Sequence, residues 1–433
     1  MAFSRGDVET LSAALGEPGW ILDRRLQAWE WFEKLDIPGE KEEPWRYTNL
    51  AQLRFKLDNY SLTLPEASPR FEYPAVELIK SEGTRAGYLV QRGSDCLFKR
   101  LDAGLVEKGV IFTDLATAMT EHEELIKKYL FEHMDSSGHI FHALHAALFA
   151  GGSFLYVPRG VAIEAPIESQ RWIGHSAGTA SFPHTVIVAE EGAEVTHFER
   201  LRSAEGTGAA LFDAGVEIFA SPAAHVTTVT LQEFGEEVWH FQQQHAAAEQ
   251  SATFNSLVVG LGGRFSRQEA NSVITGSGAG VEMLGLYFAA AGQHFDFRTL
   301  QDHAAEHATS DLLYKGALRD NAHVVYTGMI HVRPNGRETD AYQTNRNLVL
   351  SDHAKADSKP ELEIENNDVR CSHAASVGQM NEEEIFYLES RGIPRPEAQR
   401  LIVDGFFEDV ISRVRNDEVK QVLRDAVEKK QSA

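Results

Sequence analysis

The chain has 433 residues, of which 43% are hydrophobic and 24% charged, and its formal net charge at pH 7 is −23. This composition predicts a globular protein with a large core, and the negative charge argues against nucleic acid as a partner. The sequence has two cysteines, no apolar run long enough to span a membrane and no secretory h-region at its start. These features predict a cytoplasmic protein without disulfides that does not bind membranes.

Residues 1–150 are predicted to form a mixed, largely helical region. Val8, Leu11 and Leu15 recur at helical spacing, and a second helical stretch runs from Leu115 to Phe149.

The second helical stretch contains three histidines, His139, His142 and His145, each three residues from the next. On a helix the outer two lie roughly 600° apart, so the three imidazoles cannot all face one ion. The sequence also lacks the HExxH pattern of zinc proteases. We therefore interpret these histidines as partly buried structural side chains.

Residues 151–380 are predicted to form a β-rich core. Short runs rich in Val, Ile, Thr and Phe alternate with Gly, Asn, Asp and Pro, without long helical runs between them, which argues against a doubly wound α/β sheet. Small residues precede an apolar residue at intervals of 27 to 31, at Val195, Val226, Phe254, Val281 and Leu312. Such a period is typical of coils stacked into a parallel β-helix. A jelly roll or β-sandwich is the alternative.

Residues 381–433 are predicted to be helical, beginning at Asn381, which stands three residues before Glu384 as in a capping box. Two apolar rows follow along the next helix: Ile402, Phe406, Val410 and Val414, and Val403, Phe407 and Ile411. So wide an apolar surface must be covered. It could pack on the core of the chain itself, or it could dock a partner protein.

No nucleotide-binding motif is found along the chain. A P-loop is missing, and the Gly276–Gly280 segment lacks the spacing and the following helix of a dinucleotide fingerprint. If the function of this protein requires ATP, another chain must therefore bind it.

Cys371 and His373 stand two residues apart in a predicted strand, so their side chains point to one side. Together they could bind iron, zinc or copper(I), with further ligands supplied from elsewhere, including another subunit. A buried thiol beside a hydrogen-bonded histidine, or a cysteine nucleophile with its base, are the alternatives. Glu361, Glu363 and Glu365 alternate just before and are interpreted as a solvated face, with glycosidase carboxylates as the alternative.

Three segments resemble the SufB/SufD family of iron–sulfur cluster assembly proteins. They are EEPWRYTNL at 42–50, SFLYVPRGV at 153–161, and the long block from Ala341 to Pro394. Within the block, the C-S-H at 371–373 is similar to the SufD branch of the family. Ala374 departs from the family pattern, which has glycine there, and Asn366-Asn367-Asp368 replaces a more acidic stretch.

The resemblance implies a mainly β fold, with a right-handed parallel β-helix core flanked by helical N- and C-terminal regions. It implies a non-catalytic scaffold subunit that pairs with a SufB-like paralogue and binds a SufC-like ATPase, with a homodimer as the assembly of the isolated chain. His373 and its neighbour Cys371 would help to hold a nascent iron–sulfur cluster transiently at the subunit interface. The ATPase would dock on the C-terminal helices, at Phe406, Phe407 and Val410.

Three other functions are left open by the residues. The chain could carry the cluster in the manner of SufB, act on carbohydrates as a β-helix enzyme, or bind a small ligand in a mononuclear metal pocket.

Overall fold

The structure, a computed structural model, describes residues 3–63, 84–174 and 176–432. Within these ranges the chain is mainly β, with helices before and after a central set of parallel strands. The helices are α1 (Arg5–Leu15), α2 (Gly19–Phe32), α3 (Ala103–Glu107), α4 (Leu115–Glu121), α5 (Glu123–Ile126), α6 (Ile140–Leu148), α7 (Glu382–Ser390), α8 (Arg395–Ile411) and α9 (Asp417–Ser432). None of these helices is both long and apolar enough to cross a lipid bilayer.

The strands form two sheets. Sheet A has the order β4 (Ile111–Asp114), β5 (Ser153–Val157), β8 (His184–Ala189), β10 (Ala210–Ala220), β12 (Val238–Ala248), β14 (Phe265–Ile274), β16 (His294–His303), β18 (His323–Val332) and β20 (Lys355–Ile364). Beside β10 lies β7 (Thr179–Ser181), which in turn pairs with β1 (Ser61–Leu62). Sheet B has the order β3 (Asp95–Leu101), β2 (Gly87–Arg92), β6 (Ile167–Ile173), β9 (Glu194–Ser203), β11 (His225–Glu233), β13 (Thr253–Gly260), β15 (Gly280–Ala289), β17 (Thr309–Leu318), β19 (Thr339–Val349) and β21 (Val369–Gln379).

Successive strands from β8 to β21 alternate between the two sheets, and each pairs in parallel with the strand one coil earlier. The core is thus a parallel β-solenoid of about eight turns. The predicted β-helix is confirmed, and the sandwich alternative is wrong because its sheets would be antiparallel.

The predicted repeat matches the register of sheet B for four of its five members. Val195, Val226, Phe254 and Val281 align as neighbours on successive coils. Val281 then aligns with Ser310, so Leu312 lies two positions out of register. Because side chains alternate along a strand, a shift of two keeps Leu312 on the inner face, where it is buried.

The solenoid interior is filled by aromatic side chains that require glycine opposite them. A Cβ atom at position 316 would lie 1.7 Å from Cε2 of Tyr287, so only glycine fits there. The buried hydroxyl of Tyr287 donates to Oδ1 of Asn347 at 2.7 Å and accepts from Nδ2 of Asn345 at 3.0 Å. The phenol is therefore buried without losing its hydrogen bonds.

The helices cover the outer faces of the two sheets. The N-terminal helices pack on sheet A, where Phe141 of α6 stacks on Phe241 of β12 with ring centroids 3.9 Å apart. The C-terminal helices pack on sheet B, where Phe407 and Val410 share a buried cluster with strand side chains such as Leu284. The wide apolar surface of α8 is therefore covered by the core of the chain itself, which is the first of the two interpretations.

The two ends of the solenoid differ. At the N-terminal end β3 and β4 pair in antiparallel fashion and finish the two sheets. Since β2 and β4 precede residue 150 and pair with β6 and β5, both sheets extend across the expected boundary at 150. At the other end, β20 and β21 each pair with one strand among the residues described. We call β20 and β21 the terminal coil.

Candidate functional site

Cys371 and His373 lie on the inner face of the terminal coil. Their partners one coil earlier are Ala341 and Gln343, both buried inside the solenoid. The register therefore gives Cys371 and His373 the same direction, toward the interior at the point where the stack of coils ends. Metal binding by these two residues stays a prediction.

The environment of Cys371 disfavours a nucleophilic role. Its side chain packs beside Val332 and Ala341. This burial, together with the neighbouring carboxylate of Asp340, raises the pKa of the thiol. A thiol that stays protonated at neutral pH is a poor nucleophile, whereas metal binding would itself drive the proton off. His373 is exposed to solvent.

An apolar rim surrounds these two donors. Leu362 and Ile364 align with the buried Ile330 and Val332, so they also point inward, yet they are exposed because no further coil covers them. Val377 on β21 is exposed in the same way. Exposed apolar side chains that continue a buried core indicate an interaction surface.

Glu361 and Glu363 lie on the outer face of β20, as predicted, and Glu365 follows directly after the strand. Glu361 pairs with Lys359 at 2.7 Å, and Glu365 lies 2.9 Å from Nε2 of His331. Glu363 is exposed. Such surface contacts are typical of a solvated strand face, as the sequence predicted for these glutamates.

The three residues predicted to dock a partner have different environments. Phe407 and Val410 are fully buried within the chain, so in this structure they have no surface to offer a partner. Phe406 is half-buried, with its ring 4.6 Å from Nζ of Lys315, which donates to the Phe406 carbonyl oxygen at 3.0 Å and also pairs with Asp409. These contacts fasten α8 to sheet B.

Helices α7 and α8 also carry exposed apolar side chains. Phe386 and Tyr387 of α7 have 71% and 56% of their surface accessible, and Leu401 of α8 has 40%. Asn381 caps α7, as predicted, and its side chain accepts from the Glu383 N–H at 2.9 Å. The predicted capping box with Glu384 does not form, because Asn381 bonds to the second residue of the helix instead of the third. The sequence held a signal for this patch, because four consecutive apolar residues, Ile385 to Leu388, cannot all lie on one face of a helix. In the structure only Ile385 of the four is fully buried.

Comparison with known proteins gives family matches over most of the chain. Residues 172–406 match the SufBD core domain of the SUF system for FeS cluster assembly, and residues 16–168 match the SufBD protein N-terminal region. The chain is 32% identical over 422 residues to the iron-sulfur cluster assembly protein SufD of Bacillus subtilis, covering 96% of this chain and 94% of that protein. It is 30% identical over 415 residues to an iron-sulfur cluster assembly SufBD family protein of Staphylococcus haemolyticus, covering 93% of this chain and 87% of that protein.

Proposed function

The chain belongs to the SufBD family of iron–sulfur cluster assembly proteins and is SufD-like, and on that premise we propose that it is a non-catalytic scaffold subunit whose terminal coil pairs with a SufB-like chain. The observation that carries the proposal is the open end of the solenoid. There β20 and β21 leave backbone N–H and C=O groups without a strand neighbour in the described part of the chain. Such edges pair readily with another strand.

The cluster under assembly is the cargo of this interface, and Cys371 and His373 contribute part of its coordination. A thiolate and an imidazole suit iron, and two donors from one chain leave positions for donors from the other. A site split between two chains can open when the chains move apart, which suits transient holding of a cluster. Because the pKa of Cys371 is raised, binding through its sulfur must release a proton.

ATP hydrolysis, in this proposal, is supplied by a SufC-like ATPase that docks on the C-terminal helices. Of the predicted docking residues only Phe406 reaches the surface, so the contact is made chiefly by the exposed patch of Phe386, Tyr387 and Leu401. Apolar side chains this exposed favour a protein partner.

The test replaces His373 by Ala in the chain co-expressed with its SufB-like and SufC-like partners. We expect the complex to form as in the wild type and to lose most of its cluster after anaerobic reconstitution with iron and sulfide, measured as iron and acid-labile sulfide per complex. The exposed His353, changed to Ala, is the matched control and should retain the cluster. Unchanged cluster content in the His373→Ala complex would contradict the role of this residue.

The isolated chain separates this proposal from a SufB-like role. A scaffold partner purified alone should contain little acid-labile sulfide, whereas a cluster-carrying chain should contain sulfide and iron together.

A further inference from the structure

His139 and His142 converge with Glu269, which is 127 positions beyond His142 in the sequence. One ligand atom from each of the three side chains lies within 4.8 Å of the other two. Nε2 of His142 is 3.2 Å from Oε2 of Glu269, and Nε2 of His139 is 3.6 Å from Oε1. Neither Nε2 atom is aligned for a good hydrogen bond to the carboxylate, although both are close to it. The three ligand atoms therefore face a common space.

His145, the third histidine of the motif, does not take part. Its ring is buried and faces His184 instead, with Nε2 of His145 3.0 Å from Nδ1 of His184. The prediction that all three histidines cannot face one ion is thus correct. The interpretation of His139 and His142 as partly buried side chains agrees with their exposure of 16% and 15%. Their approach to the carboxylate on β14 was not predicted.

Two further polar side chains open into the same space. The small cavity between α6 and sheet A, of about 10 Å³, is lined by His139, His142, Glu269, Asp213 and Gln243. Asp213 is 2% exposed and its Oδ2 has no hydrogen-bond partner, and Gln243 is 3% exposed with both amide atoms unpaired. Buried polar atoms without partners are rare because each costs about 1–3 kcal/mol. Their presence around one cavity indicates that a polar occupant satisfies them.

We propose that His139, His142 and Glu269 bind a divalent first-row transition-metal ion, Fe²⁺ or Zn²⁺, at this second site. Two imidazoles and one carboxylate are a donor set used for both ions, with open positions for water or a further ligand. Neighbouring ligands of a tetrahedral ion lie roughly 3.3 Å apart, because each is about 2.0–2.1 Å from the ion. The pair at 3.2 Å therefore already fits, and the widest separation in the group needs to contract by at most about 1.5 Å. The cavity is large enough for one ion and is lined by an unpaired oxygen of Asp213 that can support it.

The guanidinium of Arg267, which lies beside Glu269, does not prevent metal binding, because two carboxylates already neutralise its charge. Nε of Arg267 donates to Oε1 of Glu269 at 2.8 Å, and its Nη1 donates to Oδ2 of Asp296 at 2.6 Å. Arg267 therefore holds one oxygen of Glu269 and leaves Oε2, the oxygen nearer to His142, for the ion. Trp45 packs over the guanidinium at 3.7 Å and meets the His139 ring edge-on, which fixes both groups.

One local interaction has to be given up. The backbone N–H of Phe141 donates to Nδ1 of His139 at 3.2 Å, so metal binding at Nε2 requires the ring proton to move to Nδ1 and breaks this contact. The loss is that of a helix N-cap, about 1 kcal/mol, which is small beside the coordination of a metal by three ligands. The side chains of His139, His142 and Glu269 retain 16%, 15% and 14% exposure, so an ion can enter from solvent.

The experiment uses the full-length chain, stripped with EDTA, desalted, and incubated anaerobically with Fe²⁺ alone or Zn²⁺ alone. We expect about one ion per chain without sulfide, and a raised midpoint of thermal unfolding, because an ion bound only by the folded state stabilises it. In the variants His142→Ala and Glu269→Gln the dissociation constant should rise at least tenfold. The exposed His353, changed to Ala, is the matched control and should bind the ion as the wild type does.

Each outcome decides the proposal. Equal affinity in the wild type and in His142→Ala, or no retained ion in the wild type, overturns it. If His142→Ala fails to fold, as judged by thermal unfolding in EDTA, the absorption spectrum of the wild type loaded with Co²⁺ decides instead. Bands typical of nitrogen and oxygen coordination support the site. A thiolate charge-transfer band would assign the ion to Cys96 or Cys371 and refute the proposal. Because His139, His142 and Glu269 lie outside the terminal coil, the result does not depend on the proposed scaffold function.

Discussion

At the scale of single residues, a buried row of hydrogen bonds fixes the position of one proton. Nδ1 of His145 lies 3.0 Å from the backbone oxygen of Asp213, and Nε2 of His184 lies 3.0 Å from Oε2 of Glu217. A carbonyl oxygen only accepts, so His145 donates from Nδ1 and accepts at Nε2, and His184 donates to it from Nδ1. Neutral His184 is then an acceptor at Nε2, so Glu217 must be the donor.

The pKa values agree with this assignment. Burial raises the pKa of Glu217 to about 7, even though the backbone N–H groups of His133 and Phe131 donate to its carboxyl group. Burial lowers the pKa of His184 to about 3. The shared proton therefore resides on Glu217 below about pH 7, and Glu217 is a neutral acid that donates and accepts through the same oxygen.

We predict that Glu217→Gln destabilises the protein although glutamine has the same shape. An amide nitrogen can donate to His184 but cannot accept the Phe131 N–H, so one buried group is left unpaired, at a cost of about 1–3 kcal/mol at pH 5. Since the folded pKa of Glu217 lies above its ordinary value of 4.5, its proton stabilises the fold at low pH, and this contribution is lost as the pH rises through about 7. The difference from the wild type should therefore shrink between pH 5 and pH 8.

Denaturant unfolding at the two pH values measures this difference. The exposed Glu205, changed to Gln, is the control and should stay close to the wild type at both. A constant gap between the wild type and Glu217→Gln would show that Glu217 does not carry the proton.

At the scale of elements, α8 buries one apolar face in the core, whereas α7 carries the most exposed apolar side chains of the C-terminal helices. Phe407 and Val410 are fully buried against sheet B, and Lys315 ties the helix to β17 through Phe406 and Asp409. Phe386 and Tyr387 on α7 are exposed. Helix stability and the proposed docking of a partner therefore depend on different side chains, so mutation can separate the two.

We predict opposite results for two changes in these helices. Phe407→Ala leaves a cavity and should lower the free energy of unfolding by about 3–5 kcal/mol. The double change Phe386→Ala and Tyr387→Ala should alter it by less than about 1 kcal/mol and reduce co-purification of the SufC-like ATPase at least tenfold. Unimpaired co-purification of the ATPase by the double variant would move the docking surface elsewhere.

At the scale of the whole molecule, the solenoid has one finished end and one open end. The antiparallel strands β3 and β4 finish the N-terminal end, whereas the terminal coil exposes Leu362, Ile364 and Val377 on what would be the inner face of a longer solenoid. Stacked coils bury their apolar faces only against the next coil, so an uncapped end favours association.

We predict that Val377→Lys weakens pairing with the SufB-like chain, or self-association of the isolated chain, at least tenfold. A charge at an open edge opposes strand pairing, and the exposed position should tolerate lysine with a change in unfolding free energy below about 1 kcal/mol. Leu97→Lys, at an exposed position on β3 at the opposite end, is the matched control. Sedimentation and co-purification measure both, and equal association of the two variants would contradict the assignment of the interface.

Local patterns in the sequence were sufficient for the elements that depend on local chemistry. The interval of 27 to 31 residues predicted the solenoid, because each coil repeats one pattern of inward apolar side chains. Two-residue alternation predicted that Cys371 and His373 share a side and that Glu361, Glu363 and Glu365 face outward. The family resemblance was also readable, because it rests on long contiguous segments.

The tertiary structure alone decided which distant segments meet. Glu269 reaches His139 and His142 only because β14 lies beneath α6, and no local spacing relates residues so far apart; the charged pair Arg267 and Glu269 in a buried strand was the one available signal. Likewise, an amphipathic helix has an apolar face whether a partner or its own chain covers it, so the burial of Phe407 and Val410 followed from how α8 packs on sheet B. Periodicity determines which way side chains point, and the global stacking of coils determines what they point at.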